Sequence, residues 1–232
     1  MVQWHKFGTK GDMVAALKSA ISERLLTAVL KDGNASWAVS GGSTPAPLFE
    51  AMSQVGLDWS RIQIALVDER WVAPDHPRSN EAFMKQALKK SHAVRARFIG
   101  MKTPHETPAL AVRDVNDRYR ALKLPFDSIL LGMGPDGHTA SLFPGAEGLE
   151  QAFDPARSEV CAALTANKSD VTGNELDRMS LTASAIMAAP HVVLMITGEA
   201  KKQRLEEAIS TESDLPIARL ARLKPFDVYW AP

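Results

Sequence analysis

Phe126-Asp127-Ser128-Ile129-Leu130-Leu131 runs directly into Gly132-Met133-Gly134-Pro135-Asp136-Gly137-His138-Thr139. The first six residues predict a short strand of the apolar kind that parallel sheets bury on both faces. The glycine-rich turn that follows must then lie at the strand's carboxyl end. The same grammar recurs on either side. Trp37-Ala38-Val39 leads into Ser40-Gly41-Gly42-Ser43-Thr44-Pro45, Ile62 to Val67 into Asp68-Glu69-Arg70-Trp71, and His191 to Ile196 into Thr197-Gly198-Glu199-Ala200-Lys201. Between them the spacing predicts helices over 12–30, 45–52, 79–88, 108–122 and 199–209, with Gly33 placed to stop the first. Further strands are expected at 160–164 and 226–230. Strands alternating with helices define the expected fold class: α/β, a Rossmann-like, doubly wound and mostly parallel sheet with helices on both faces. No repeat or linker divides the chain, so one domain over 1–232 is expected. Ligands of such sheets bind beyond the carboxyl ends of the strands, which directs attention to the four loops.

Composition narrows the partners. The 232 residues carry 27 Lys plus Arg and 27 Asp plus Glu, a net charge of zero. With no basic tract, nucleic acid is not an expected partner. The apolar runs are too short to cross a bilayer, and the first residues lack a signal peptide's apolar core, so no membrane partner is expected. The single cysteine, Cys161, suits a reducing compartment. A cytoplasmic protein of bacterial style is expected, with no obligate protein partner.

Each loop has a chemical reading. In 40–45, Gly41, Gly42, Ser43 and Thr44 leave a strand and open a helix, with Thr44 as N-cap and Pro45 in the first turn. Free N–H groups there suit a phosphate. A tight turn that binds nothing explains the same residues, and the loop alone leaves both open. No Gly-Lys-Ser/Thr follows, so it is not a nucleoside triphosphate loop. In 68–71, two acids and an arginine, Asp68, Glu69 and Arg70, are placed for a site, while a solvated charge cluster is the bland alternative. Arg78, Ser79 and Asn80 can add polar groups to the same rim. Residues 132–137 match G-x-G-x-x-G, but Pro135 removes a donor and Asp136 sets a negative charge where a pyrophosphate would lie. That dinucleotide reading is rejected. The expectation instead is a turn that projects His138 at the start of a short helix, whose positive end keeps imidazole neutral as a general base requires. Lys201 in the first turn of a helix opposes the helix dipole and is better placed for an anion than for stability. Arg178 is a further cation at an element boundary. Residues 165–176, rich in Asn, Ser, Asp and Gly, form a loop that could act as a lid.

Several chemistries are absent. There is no Gly-x-Ser-x-Gly elbow, and Cys161 falls inside a predicted strand, so no covalent nucleophile is evident. His105-Glu106 has no partner at metal-ligand spacing. Neither a metal nor another cofactor is expected.

Taken together, Ser40–Pro45, Asp68–Arg70, Ser79-Asn80, Leu131–Gly145 and Thr197–Lys201 resemble the short, bacterial 6-phosphogluconolactonase type of the glucosamine-6-phosphate isomerase/6-phosphogluconolactonase family. The resemblance spans nearly the whole chain, and the run around His138 is its most specific part. It implies metal-free hydrolysis of 6-phosphoglucono-1,5-lactone to 6-phosphogluconate in the pentose phosphate pathway. By the same resemblance His138 is the general base and Asp136 orients it or a water. The loop 41–44 with Lys201 and Arg178 holds the phosphate, and Arg70 either joins them or polarises the lactone. Here Gly173–Asp177 precedes Arg178 where the family pattern is Pro-rich. Two rival readings remain. A sugar-phosphate isomerase or deaminase on this fold would need a Glu five residues after the histidine, where this chain has Phe143. A non-catalytic sugar-phosphate sensor would need a DNA-binding segment.

Overall fold

The computed structural model describes residues 2–232. The chain opens with strand β1 (Gln3–Lys6), helix α1 (Lys10–Asp32), β2 (Ala35–Val39), α2 (Ala46–Ser53), β3 (Ile62–Leu66) and β4 (Asp68–Arg70). It continues through α3 (Asn80–Ala87), β5 (Arg97–Ile99), α4 (Pro108–Arg120), β6 (Ser128–Leu131), α5 (Leu149–Phe153) and β7 (Cys161–Thr165). The remainder is β8 (Asp177–Leu181), α6 (Ala183–Ala188), β9 (Val192–Thr197), α7 (Glu199–Ser210), α8 (Pro216–Leu223) and β10 (Asp227–Ala231).

Seven strands form one sheet in the order β1-β10-β9-β6-β2-β3-β5. Every neighbouring pair in it is parallel, as the apolar strands predict. The chain progresses from β2 outward through β3 and β5. It then returns to the other side of β2 and progresses through β6, β9 and β10. The direction of winding therefore reverses between β2 and β6, and the loops leaving those two strands are Ser40–Pro45 and Gly132–His138. A switch of this kind leaves a crevice at the strands' carboxyl ends.

Local signals explain the helices. Thr9 caps α1 by accepting from the Asp12 N–H at 3.1 Å. Gly33 ends it in the left-handed conformation, φ 79°, which glycine adopts without strain. Met13, Leu17, Ile21 and Leu25, one face at helical spacing, are fully buried. Ser79 caps α3 as expected, accepting from the Ala82 N–H.

Three expectations need correction. Thr44 is not the N-cap of α2; that position falls to Pro45, and no side chain caps the helix. Asp68–Arg70 is not a loop but the strand β4, which pairs antiparallel with β8 in a second, three-stranded sheet, β4-β8-β7. No helix follows His138. Thr139 and Leu142 form an isolated bridge, and Ala140 between them has φ 49°, incompatible with an α-helical turn. Strands β1, β5 and β8 and helices α5, α6 and α8 were not foreseen. Among the described residues no helix is long and apolar enough to cross a membrane.

Candidate active site

A cleft of about 260 Å³ lies over the switch point. Gly41, Gly42, Ser43, Thr44, Asp68, Arg70, His138 and Lys201, drawn from four separate loops or strand ends, all line it. Ser40 ties two of those loops, its hydroxyl accepting from the Gly132 N–H at 3.3 Å. A larger cleft of about 840 Å³ between α7, α8 and residues 144–150 contains none of the anticipated residues. Its arginines are already engaged: Arg219 grips Glu150 through two bonds of 2.7 and 2.9 Å. The smaller cleft, at the strands' carboxyl ends, is the one that concentrates uncommitted polar groups.

His138 is held from three sides. Its Nδ1 bonds Asp136 Oδ1 at 2.5 Å, and its ring stacks on Phe143 with centroids 4.1 Å apart. Behind it is Gly134, where a Cβ would fall 2.1 Å from the imidazole; only glycine lets the turn close so tightly. With Asp136 occupying Nδ1, Nε2 is left as the nitrogen with no hydrogen-bond partner among the described residues. This replaces the helix-start argument: a carboxylate, not a dipole, sets the imidazole's orientation and tautomer. Burial alone would raise the Asp136 carboxyl, but the hydrogen bond and charge of His138 outweigh it and hold the group below its ordinary value.

Across the cleft, Asp68 Oδ2 accepts from the Ser141 hydroxyl at 2.7 Å, which joins β4 to the segment carrying His138. Arg70 Nη1 donates to Asn80 Oδ1 and to the Arg78 carbonyl, both at 2.9 Å. Asn80 in turn donates to the Asp68 carbonyl at 2.8 Å. Its Oδ1 also lies so close to Gly41 that a Cβ there would sit 2.3 Å away. Asn80 thus touches two of the cleft's walls, β4 and the loop at Gly41.

Lys201 makes no hydrogen bond or ion pair among the described residues, whereas its neighbour Lys202 binds Glu199 at 3.1 Å. Half-burial lowers the Lys201 ammonium below the usual lysine range. Arg178 is placed differently from the others. It is almost wholly buried and does not line the cleft. Its guanidinium lies 5.6 Å from the Phe143 ring, on β8 beside Arg70, and its Nη2 donates to the Thr172 carbonyl at 3.2 Å. Its Nε and Nη1 find no partner, and burial beside Arg70 pushes it down to about 10. The loop 165–176 is stitched by Thr172, whose hydroxyl donates to the Asn167 carbonyl at 2.9 Å, and is joined to Gly145 through Asn167 at 3.0 Å. Cys161 is fully buried, which pushes its thiol well up and removes it as a nucleophile.

Sequence reasoning missed Ser141, and it counted Glu69 among the charges of the site without foreseeing that the side chain turns away from the cleft. Glu69 sits between two residues that face the cleft, so in a strand it must point the other way. It is fully buried, with each carboxylate oxygen accepting two hydrogen bonds: Oε1 from Arg70 N at 2.8 Å and Asn80 N at 2.7 Å, Oε2 from Ser79 Oγ at 3.0 Å and Glu81 N at 2.8 Å. Burial pushes its carboxyl up to about 7 against the pull of these donors.

Fold and cleft together define a class: an α/β enzyme with a carboxylate-bound histidine and an unpaired lysine at the switch point of a parallel sheet. Within that class the chain belongs to the family described as glucosamine-6-phosphate isomerases/6-phosphogluconolactonase, whose model matches residues 8–230. It is 38% identical to a 6-phosphogluconolactonase of Rhizobium meliloti, covering 98% of each chain. It is 35% identical to one of Pseudomonas aeruginosa over 97% of this chain and 93% of that one. Among solved structures it resembles a 6-phosphogluconolactonase from Shewanella baltica, with TM-score 0.92, 34% identity, and coverage of 100% of this chain and 98% of that one.

Proposed function

We propose that this protein hydrolyses 6-phospho-D-glucono-1,5-lactone to 6-phosphogluconate, the lactonase step of the pentose phosphate pathway. Full-length relatives of that name support the reading. The observation that carries it is the cleft itself: an imidazole with Asp136 on Nδ1 and a free Nε2, facing the same space as an unpaired lysine and a glycine-rich loop.

In the proposed reaction Gly41–Thr44 and Lys201 hold the 6-phosphate and so fix the sugar. Nε2 of His138 removes a proton from water as its oxygen bonds to C1. Negative charge builds on the carbonyl oxygen, and Arg70, steadied by Asn80, is the cation left to meet it. The C1–O bond to the ring oxygen then breaks, and the imidazolium returns its proton to that oxygen. Asp136 stabilises the imidazolium between these steps. General-base help of roughly 10²–10⁴-fold plus positioning is enough for an activated ester. The deaminase alternative requires a carboxylate where the Phe143 ring stacks on His138. The decisive assay is lactone hydrolysis corrected for the spontaneous rate, and a corrected rate of zero would end the proposal.

Two expected outcomes follow from the residues involved. His138 and Asp136 supply the base without help, so activity in excess chelator should equal activity without it. A loss restored by a divalent ion would contradict this. Because burial lowers the Lys201 ammonium, its charge is lost earlier than that of a free lysine as pH rises. The affinity for 6-phosphogluconate, measured by calorimetry, should therefore weaken in the alkaline range before free lysine titrates, and Lys201→Arg should keep its affinity there.

A further inference from the structure

We propose that Glu69 is a positioning residue for this hydrolysis: from inside the fold, its carboxylate sets the Arg70 guanidinium that meets the substrate. The proposal rests on the lactonase reading above. Glu69 has no exposed surface and cannot touch substrate. Its four acceptor bonds run to two different elements. One goes to the backbone of Arg70 in β4; the other three go to the Ser79 hydroxyl and to the N–H groups of Asn80 and Glu81 at the start of α3. A single carboxylate thus clamps the strand to the helix's amino end, where unpaired N–H groups and the helix dipole favour negative charge.

The consequence reaches the cleft in two bonds. With the backbone of Asn80 fixed, its side-chain Oδ1 stands 2.9 Å from Arg70 Nη1. With the backbone of Arg70 fixed, the same guanidinium also reaches the Arg78 carbonyl at 2.9 Å. The guanidinium is therefore held at Nη1 by two contacts that depend on one buried acceptor, while Arg70 Nε has no partner of its own. The buried Asn80 side chain joins α3 to β4 as well, and its backbone N–H is one of the groups that Glu69 holds. A residue that orients a site from behind is commonly worth tenfold to a hundredfold in activity.

Glu69→Gln keeps the shape and exchanges one oxygen for NH₂. Whichever way the amide is turned, its nitrogen faces at least one backbone N–H, so one clamp contact is lost at the Oε2 position and two at the Oε1 position. The expected result is a folded protein whose kcat/KM falls roughly tenfold or more. In an Arg70→Ala background the same change should have less than about a twofold effect, because the group it positions is gone. The Arg70 Nε–H resonance, compared in the parent and in Glu69→Gln, should broaden or vanish in the variant, which reads the guanidinium without reference to turnover. A variant that only melts at a lower temperature, keeping kcat/KM within twofold and the resonance intact, overturns the proposal. So does a penalty that persists in full on Arg70→Ala. If Glu69→Gln does not fold, Asn80→Ala leaves the anchor intact and cuts its link to Arg70; it must show the same loss, and activity within twofold of the parent overturns the idea. Should the parent itself fail to hydrolyse the lactone, the functional reading falls, and the resonance still decides whether Glu69 sets Arg70.

Discussion

Replacing His138 by alanine should give a folded protein that still binds 6-phosphogluconate but hydrolyses the lactone roughly 10²–10⁴-fold more slowly, the usual loss when a general base is removed. Folding is expected because the ring sits at the cleft's rim, stacked on Phe143, and not within the sheet. Binding is expected because the proposed phosphate contacts, Gly41–Thr44 and Lys201, come from other strand ends. Asp136 bears on the pH dependence of the wild-type rate, measured after subtraction of spontaneous hydrolysis. Its carboxyl is held below the ordinary value, so what it contributes is lost only as pH falls through its own lowered value. Product binding by calorimetry beside the rate–pH profile separates the alternatives. If the alanine variant binds product and stays within a few-fold of wild type, His138 is structural and the water must be activated elsewhere, with Asp68 the remaining carboxylate in the cleft.

The second large effect concerns Lys201. Since it has no partner in the free protein, Lys201→Ala orphans nothing and removes only a charge-assisted contact to the substrate. The loss should be about 1.5–3 kcal/mol, or roughly 10- to 150-fold, and should appear in KM far more than in kcat. Comparing lactones with and without the 6-phosphate isolates the contact. Wild type should prefer the phosphorylated form strongly, and the variant should lose most of that preference. A variant that retains it in full would remove Lys201 from the phosphate site.

What could be read in the chain, and what could not, follows from the range of the interactions concerned. The long helix α1 is announced by Thr9, Gly33 and a buried stripe, all local signals. Strands β2, β3, β6 and β9 are apolar runs that only a doubly covered sheet accommodates. Because a parallel sheet puts its ligands at the strands' carboxyl ends, locating the strands also located Gly41–Thr44, Asp68, Arg70, His138 and Lys201 around one cleft. The failures are non-local. Asp68-Glu69-Arg70 has no apolar pattern and is a strand only because β8 pairs with it from over a hundred residues away. The helix expected after His138 is replaced by a bridge from Thr139 to Leu142 that no propensity announces. Arg178, expected at an element boundary and, by the resemblance, at the phosphate, is buried on β8 by the same pairing that makes β4 a strand, which its sequence neighbours do not announce. The links Ser141–Asp68 and Glu69–Asn80 join segments whose meeting is decided by the whole fold.

The order β1-β10-β9 also governs how the molecule comes into being. Strand β1 has one neighbour only, and its register sets Gln3 against Asp227. Residues 3–6 must therefore wait for a strand that emerges after all the other strands described. Closing so long a loop adds little to the entropic cost, which grows only with the logarithm of its length, but contacts so distant in sequence slow folding. Until β10 slots in, the edge of β9 is open to a neighbouring nascent chain, and the helix α7 that carries Lys201 lacks the contact of Gly198 N–H with the Ala231 carbonyl beneath its start. The lysine should thus be among the last parts of the cleft to be secured, and a chain released early should have Asp136 and His138 in place before it can hold an anion.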